Sequence, residues 1–203
     1  KAFAWQIVLR RDGIVSQTLV GLGLWDEPQR LLFTETGLVL GAANIFLPFT
    51  VWDNVRLAAQ SRAPQAWRWL RRATSFAAVN ASAERAVELS GLKDRVGAIA
   101  GTISHGEQRQ LEIAMTLATE PQVLLLDEPL AGMGVAEAER MVALLLRLKK
   151  DHAMLLVEHD MDAVFALADH LTVMVNGQVI ASGAPADVRA DANVQAAYLG
   201  EEH

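Results

Sequence analysis

Apolar and polar positions follow two different patterns along the chain. Apolar residues recur at helical spacing from Thr50 to about residue 59, and again over 64–77 and 81–92, with no strand-like run between them. Thr50 stands directly ahead of the first stretch and is a predicted N-cap. Three consecutive helices predict a helical subdomain. The first forty residues have weak periodicity, although 1–11 is compatible with a short helix.

Beyond residue 101, short apolar runs alternate with amphipathic stretches. This alternation predicts a parallel sheet covered by helices on both faces, with a hairpin at its edge. The hairpin turn is Asn176-Gly177, the strongest short hairpin signal. The predicted helices are 107–119, 135–150 and 161–168, and the predicted strands are 123–126, 153–157, 171–175 and 178–181.

Composition excludes several classes of protein. Apolar types make up 52% of the 203 residues, too many for a disordered tail, and the absence of cysteine excludes a disulfide scaffold. The net charge of −6 argues against nucleic-acid binding through bulk charge. The longest uncharged run, 36–52, is shorter than the ~20 residues that span a bilayer. These features favour a cytoplasmic chain.

Two carboxylates follow the apolar run at 123–126 directly. In open parallel sheets, ligands bind at the carboxyl ends of the strands. Asp127 offers an oxygen ligand to a metal that carries phosphates, and Glu128 is placed to orient or deprotonate an attacking water. The alternative is that both carboxylates cap the following segment, and the pattern taken alone favours this alternative.

Two further patterns have a functional and a structural interpretation. Ser104, followed three residues later by Glu107, predicts a capping box, and Gly106 exposes backbone N–H groups that suit an anion. His159 follows the predicted strand 153–157, where an imidazole can donate a hydrogen bond to a phosphate oxygen. The structural alternatives are a well-capped helix and a hydrogen-bonded structural histidine.

The order and spacing of these three patterns resemble the nucleotide-binding subunit of ABC transporters. By that resemblance, the segment 104–107 is the signature loop, Asp127-Glu128 ends the Walker B strand, and His159 is the switch histidine. The tail 158–202 and the segment 44–59 are similar to the branched-chain amino-acid importer branch.

The resemblance implies an α/β fold: a P-loop NTPase-like ABC ATPase core with a mostly parallel sheet and a helical subdomain. Residues 1–45 match the core poorly, 46–101 form the helical subdomain, and 102–203 carry the motifs and C-terminal helices. The implied ligands are ATP and Mg²⁺. The implied site consists of Asp127 for Mg²⁺, Glu128 and His159 for catalysis, and Ser104, Gly106, Glu107 and Gln108 for nucleotide bound across a dimer.

The resemblance also implies partners and a location. Such subunits dimerise head to tail, either as a homodimer or with a paralogous ATPase subunit, and drive transmembrane permease subunits. They bind no nucleic acid. We therefore expect a cytoplasmic protein that lies peripherally on the inner face of the cell membrane.

The chain departs from the family pattern at several positions. No G-x-x-x-x-G-K-S/T occurs in the 203 residues, and the chain begins with Lys1 rather than Met, so we expect the phosphate loop to precede Lys1 and these residues alone to be inactive. The segment 41–43, Gly-Ala-Ala, replaces the coupling glutamine, and Gly134 replaces an Asp or Asn. Glu107 replaces the usual signature Gln, and we expect it to turn back onto the helix terminus.

Two other functions are alternatives to an ATPase of an importer. One is a degenerate or non-catalytic interaction module that binds the transporter without hydrolysing ATP. The other is an ABC ATPase acting on DNA or ribosomes, which the absence of long inserts and tandem cassettes disfavours. The aromatic and basic stretch 66–72 predicts an amphipathic helix with a solvated basic face, or a face toward the membrane partner.

Overall fold

The computed structural model of the chain describes residues 39–40, 45–62 and 76–199. Its helices are α1 (Val51–Ser61), α2 (Ala77–Ser90), α3 (His105–Leu117), α4 (Val135–Leu148), α5 (Met161–Leu167), α6 (Pro185–Ala190) and α7 (Ala192–Leu199). Its strands are β1 (Val39–Leu40), β2 (Val123–Asp127), β3 (Ala153–Val157), β4 (Leu171–Val175) and β5 (Gln178–Gly183). Single 3₁₀ turns occupy Lys93–Arg95 and Ala100–Thr102.

Several sequence predictions lie outside these ranges. They are the helix expected at 1–11, nearly all of the helix expected at 64–77, the aromatic and basic stretch 66–72, and the replaced coupling position at 41–43.

Local side-chain hydrogen bonds define where α1 begins. Thr50 is its N-cap, as predicted, and the threonine Oγ1 accepts a hydrogen bond from the backbone N–H of Asp53 at 3.0 Å. Asn54 is fully buried, and its amide bonds the N–H and the carbonyl of Phe46. Asn54 thereby fixes the segment that enters the helix, and α1 packs on α2 and α3.

The parallel sheet has the strand order β1-β2-β3. In β2 and β3 the pairing runs from Val123↔Ala153 to Asp127↔Val157, so the two strands end at the same level. The middle of β2 is apolar and buried, as is usual for a strand of a parallel sheet. The predicted α/β architecture with a parallel sheet is confirmed.

The hairpin β4–β5 forms a separate two-stranded antiparallel sheet. Within the described residues no strand pairing joins the hairpin to the parallel sheet, so the hairpin is not an edge of that sheet, contrary to the prediction. Asn176 and Gly177 have φ of 49° and 78°, as a two-residue type I′ turn requires. Such a turn lets the two strands pair with each other directly. A small apolar cluster of Val173, Val188 and Val194 supports the hairpin.

The described residues divide into two compact units, one ending at Asp160 and one beginning at Met161. The first contains α1 to α4 and the parallel sheet, and the second contains α5 to α7 and the hairpin. In the parts of the chain that the structure describes, no helix combines the length and the apolar character needed to cross a membrane.

Adjacent leucines on α4 provide a test of the core. Leu145 is completely buried and Leu146 is 40% exposed. We predict that Leu145→Ala lowers the free energy of unfolding by about 2–5 kcal/mol, because it removes buried methyl groups and leaves a cavity. Leu146→Ala is the matched control and changes it by about 0.5 kcal/mol or less. Urea unfolding followed by circular dichroism measures both; equal effects would contradict the packing of α4.

Candidate functional site

The parallel pairing of β2 with β3 gathers the predicted catalytic residues at one edge. Asp127 is the last residue of β2, and its register partner Val157 is the last residue of β3. Glu128 and His159 follow these strands, so both lie at the carboxyl edge of the sheet. This is the edge where parallel sheets bind ligands.

Glu128 has a backbone conformation that is uncommon for a side-chain-bearing residue. Its φ is +45°, in the left-handed region, and its N–H donates to the carbonyl of Val157 at 2.8 Å. Its side chain is 45% exposed, and Oε1 lies 3.7 Å from Nδ1 of His159. Such conformations cost about 1–3 kcal/mol and cluster at functional sites. The strained turn thus presents a solvent-accessible carboxylate beside an imidazole.

Glu158 belongs to this edge but has no role among the sequence predictions. Its side chain is only 1% exposed. One oxygen accepts a hydrogen bond from the N–H of Leu130 at 2.9 Å, and the other accepts one from the N–H of His159 at 2.9 Å. The only sequence signal was its place between a buried strand and His159, which does not show that its side chain is buried.

The N-terminus of α3 carries the predicted capping box, which is confirmed. Ser104 Oγ accepts from the N–H of Glu107 at 3.2 Å, and Glu107 Oε2 accepts from the N–H of Ser104 at 2.9 Å. Glu107 thus turns back onto the helix terminus, as expected. The hydrogen bond from the Ser104 N–H is the main cause that lowers the pKa of Glu107, and the nearby Arg95 guanidinium lowers it further.

A second carboxylate, unforeseen from the sequence, reaches this helix terminus from α4. The hydroxyl of Ser104 donates to Glu137 Oε1 at 2.8 Å. A Cβ added at Gly106 would lie 2.8 Å from Cδ of Glu137, so a side chain at this position would require the Glu137 carboxylate to move. The two residues of the hydrogen bond are 33 positions apart, and no local pattern could reveal it.

The remaining predicted nucleotide-binding residue points its amide group into the protein. Gln108 Nε2 donates to the carbonyls of Ala100 and Ile103, at 3.3 and 3.4 Å, and so holds the turn ahead of α3. The ring of His105 lies against Gly132 in the loop that follows β2. The signature-like loop is therefore in contact with the loop that begins at Glu128.

The donor chemistry at Asp127 fits Mg²⁺. Its side chain is exposed at the end of β2. Within the described ranges, no cluster of three or more acidic, histidine or cysteine side chains could enclose a metal. Mg²⁺ bound with nucleotide usually takes one or two carboxylates and completes its shell with water and phosphate oxygens. One exposed carboxylate is consistent with that mode of binding.

The fold and the site together define an ATP-binding cassette core. The chain belongs to the ABC transporter family, since the family model described as "ABC transporter" matches residues 22–131, more than half of the chain. A second model, described as "Branched-chain amino acid ATP-binding cassette transporter", matches residues 178–203.

Curated proteins and solved structures agree with this membership. The chain is 43% identical over 104 residues to the high-affinity branched-chain amino acid transport ATP-binding protein BraF of Pseudomonas aeruginosa, covering 50% of this chain and 41% of BraF. It is 34% identical over 165 residues to LivG of Escherichia coli, which carries the same description, covering 78% of this chain and 65% of LivG. The ADP conformation of MJ1267, an ATP-binding cassette of an ABC transporter, superposes with a TM-score of 0.63 at 30% identity, covering 76% of this chain and 64% of that structure. The chain thus spans less than two thirds of each of these proteins.

Because the pKa of Glu107 is lowered, the free energy of unfolding should depend on pH. Because the folded-state pKa lies below the ordinary value, ionised Glu107 stabilises the protein above its unfolded-state pKa, and this stabilisation is lost as the pH falls through the folded-state pKa. Glu107→Gln keeps the hydrogen-bond acceptor but removes the charge. We predict that it costs about 0.3–1 kcal/mol at neutral pH. The difference in free energy of unfolding between Glu107→Gln and wild type should shrink as the pH falls from about 5 to about 3.

Urea unfolding across that pH range measures the difference. Glu139→Gln removes an exposed carboxylate from α4 and serves as the control. A cost for Glu107→Gln that stays constant with pH would contradict the assigned charge effect.

Proposed function

We propose that this chain is the ATP-binding and ATP-hydrolysing subunit of an ABC importer for branched-chain amino acids or similar small solutes. The observation that carries the proposal is the gathering of Asp127, Glu128 and His159 at the carboxyl edge of two paired parallel strands. Membership of the ABC transporter family supports ATP as the nucleotide. The descriptions of BraF and LivG support branched-chain amino acids as the class of solute.

Each residue at this edge has a role that its chemistry suits. Asp127 would hold Mg²⁺, which when bound neutralises negative charge on the phosphate oxygens. Glu128 would accept a proton from the attacking water, because its carboxylate is accessible to solvent and is fixed at the end of a buried strand. His159 would donate a hydrogen bond to the γ-phosphate of ATP; its Nδ1 lies 3.7 Å from carboxylate oxygens of both Glu128 and Glu158.

The N-terminus of α3 would contact ATP bound to a second subunit. Its backbone N–H groups and the positive end of the helix dipole favour a phosphate. The Ser104 hydroxyl is bonded to Glu137 in this structure, so contact with a phosphate requires an exchange of that partner. Gly106 has no side chain, so a phosphate could approach the backbone there closely. Glu107 and Gln108 hold the backbone of the helix terminus through their hydrogen bonds. The second subunit would be another copy of this chain or a paralogous ATPase.

An exposed apolar patch suits a permease partner. The segment that enters α1 lies beside the turn ahead of α3, with the Ala100 N–H bonded to the Phe49 carbonyl at 2.8 Å. The rings of Phe46 and Phe49 in this patch stack with their centroids 5.5 Å apart. Exposed clusters of this kind mark interaction sites. The exposed residues of the patch are Phe46, Leu47, Phe49, Val96 and Ile99. Docking there would place the chain peripherally on the inner face of the cell membrane.

One observation favours the second candidate, a non-catalytic module that binds the transporter. Gly134 is the N-cap of α4 and makes no side-chain cap bond. An Asp or Asn at this position would offer a polar side chain toward a second subunit, and glycine offers none. A G-x-x-x-x-G-K-S/T encoded ahead of Lys1 would support the ATPase, and a complete reading frame without one would support the module.

Nucleotide binding by the 203 residues alone can be measured directly. Because they contain no G-x-x-x-x-G-K-S/T loop, the main cradle for phosphates is missing. We predict weak ATP binding and no measurable hydrolysis. Isothermal calorimetry with Mg²⁺ and ATP measures the binding, and the control is the same chain joined behind such a loop. Micromolar binding by the 203 residues alone would contradict the prediction.

The role of Glu128 as the general base can be tested by substitution. In the protein that carries the phosphate loop, Glu128→Gln should lower the ATPase rate by roughly 10²-fold or more, because an amide cannot take the proton of the attacking water. ATP-bound dimers should accumulate, as measured by light scattering. Glu139→Gln on α4 is the control and should retain wild-type turnover. An unchanged rate in Glu128→Gln would show that another group is the base.

A further inference from the structure

A buried carboxylate lies between the two loops that form the candidate site. Glu158 follows β3, and only 1% of its side chain is exposed. Charged side chains are rarely buried to this degree unless hydrogen bonds satisfy them. Its surroundings therefore indicate what it holds in place.

The two oxygens of Glu158 bind backbone groups from both loops. Oε1 accepts from the N–H of Leu130 at 2.9 Å, in the loop after β2. Oε2 accepts from the N–H groups of His159 and Asp160, at 2.9 and 3.4 Å, in the loop after β3. Hydrogen bonds to an ionised acceptor are roughly twice as strong as neutral ones. One side chain thus joins the loop after β2 to the loop after β3.

These bonds fix the backbone on both sides of Glu128. On one side, the Glu128 N–H donates to the Val157 carbonyl at 2.8 Å. On the other, the Leu130 N–H is held by Glu158. Between them Glu128 has a φ of +45°. A residue persists in such a conformation only where its surroundings determine it.

We infer that Glu158 is a positioning residue that holds the carboxylate of Glu128 against the imidazole of His159. Oε2 of Glu158 lies 3.7 Å from Nδ1 of His159, the same distance that separates this nitrogen from Glu128 Oε1. Glu158 acts on Glu128 through the N–H of Leu130, and on His159 through its backbone N–H. As a role in hydrolysis, the inference rests on the proposed function.

A carboxylate suits this place better than an amide. All three backbone partners of Glu158 are donors, so both of its oxygens must accept. A glutamine has one oxygen and one NH₂ group, and the NH₂ group would face a backbone donor. Glu158→Gln therefore leaves at least one of the two loops without its bond. Glu158→Asp keeps both oxygens and the charge but is shorter by one methylene, so it should lose Leu130, the partner in the other loop.

Amide hydrogen exchange of the 203-residue chain, followed by NMR, tests the clamp without any nucleotide. In Glu158→Asp we expect the Leu130 amide to exchange at least about tenfold faster than in wild type, and in Glu158→Gln we expect the same of the Leu130 amide or the His159 amide, whichever faces the new NH₂ group. The amide of Leu125, within β2, should keep its wild-type rate. Glu139→Gln is the matched control and should change neither.

Unchanged protection of the Leu130 amide in Glu158→Asp would overturn the inference, as would unchanged protection of both the Leu130 and the His159 amides in Glu158→Gln. If Glu158→Gln fails to fold, Glu158→Asp decides the question. Rapid exchange of Leu130 in the wild-type chain, at the rate of an exposed loop amide, would overturn it without any variant.

A kinetic measurement separates positioning from simple stability. In the form that carries the phosphate loop, we expect Glu158→Asp to lower kcat about tenfold or more while the KM for ATP stays within about twofold, because the reacting geometry changes and the phosphate cradle does not. Faster Leu130 exchange with unchanged kcat would overturn the positioning role. If the form that carries the phosphate loop and the unaltered Glu158 hydrolysed no ATP, the proposed function would be overturned instead. The exchange result would still decide whether Glu158 joins the two loops.

Discussion

The register between β2 and β3 is the constraint on which the site depends. The strands pair in parallel from Val123↔Ala153 to Asp127↔Val157, so both chains leave the sheet at one level. That level places Glu128 and His159 next to each other although they are distant in sequence. A shift of one residue would exchange the faces of every side chain on the strand and separate them.

The acidic residues of the strand edge and of the α3 terminus have two kinds of surroundings. Glu107, Glu137 and Glu158 each bond a backbone N–H or a hydroxyl, and they hold helix termini and loops in place. Asp127 and Glu128 are instead accessible to solvent. The first group uses its charge for structure. The second group retains oxygens that can meet a metal ion or a water, and this division suits a phosphate-handling site.

Local patterns predicted the local features well. The strand Ala153–Val157, the N-cap Thr50, the capping box at Ser104 and the Asn176-Gly177 turn all depend on neighbouring residues, and the structure has each of them. The roles of Glu158 and Glu137 depend on hydrogen bonds across 28 and 33 positions. The positive φ of Glu128 likewise occurs beside a long-range bond, from its N–H to the carbonyl of Val157, that its own stretch of sequence does not encode.

We propose that Asp127, Glu128 and His159 together face the phosphates of a nucleotide. A crystal structure of this chain joined behind a G-x-x-x-x-G-K-S/T loop, with Mg²⁺ and a non-hydrolysable ATP analogue, tests this most directly. We predict that Asp127 binds the metal directly or through one water, and that a ring nitrogen of His159 lies within hydrogen-bond distance of a γ-phosphate oxygen. A triphosphate bound away from both residues would contradict the account.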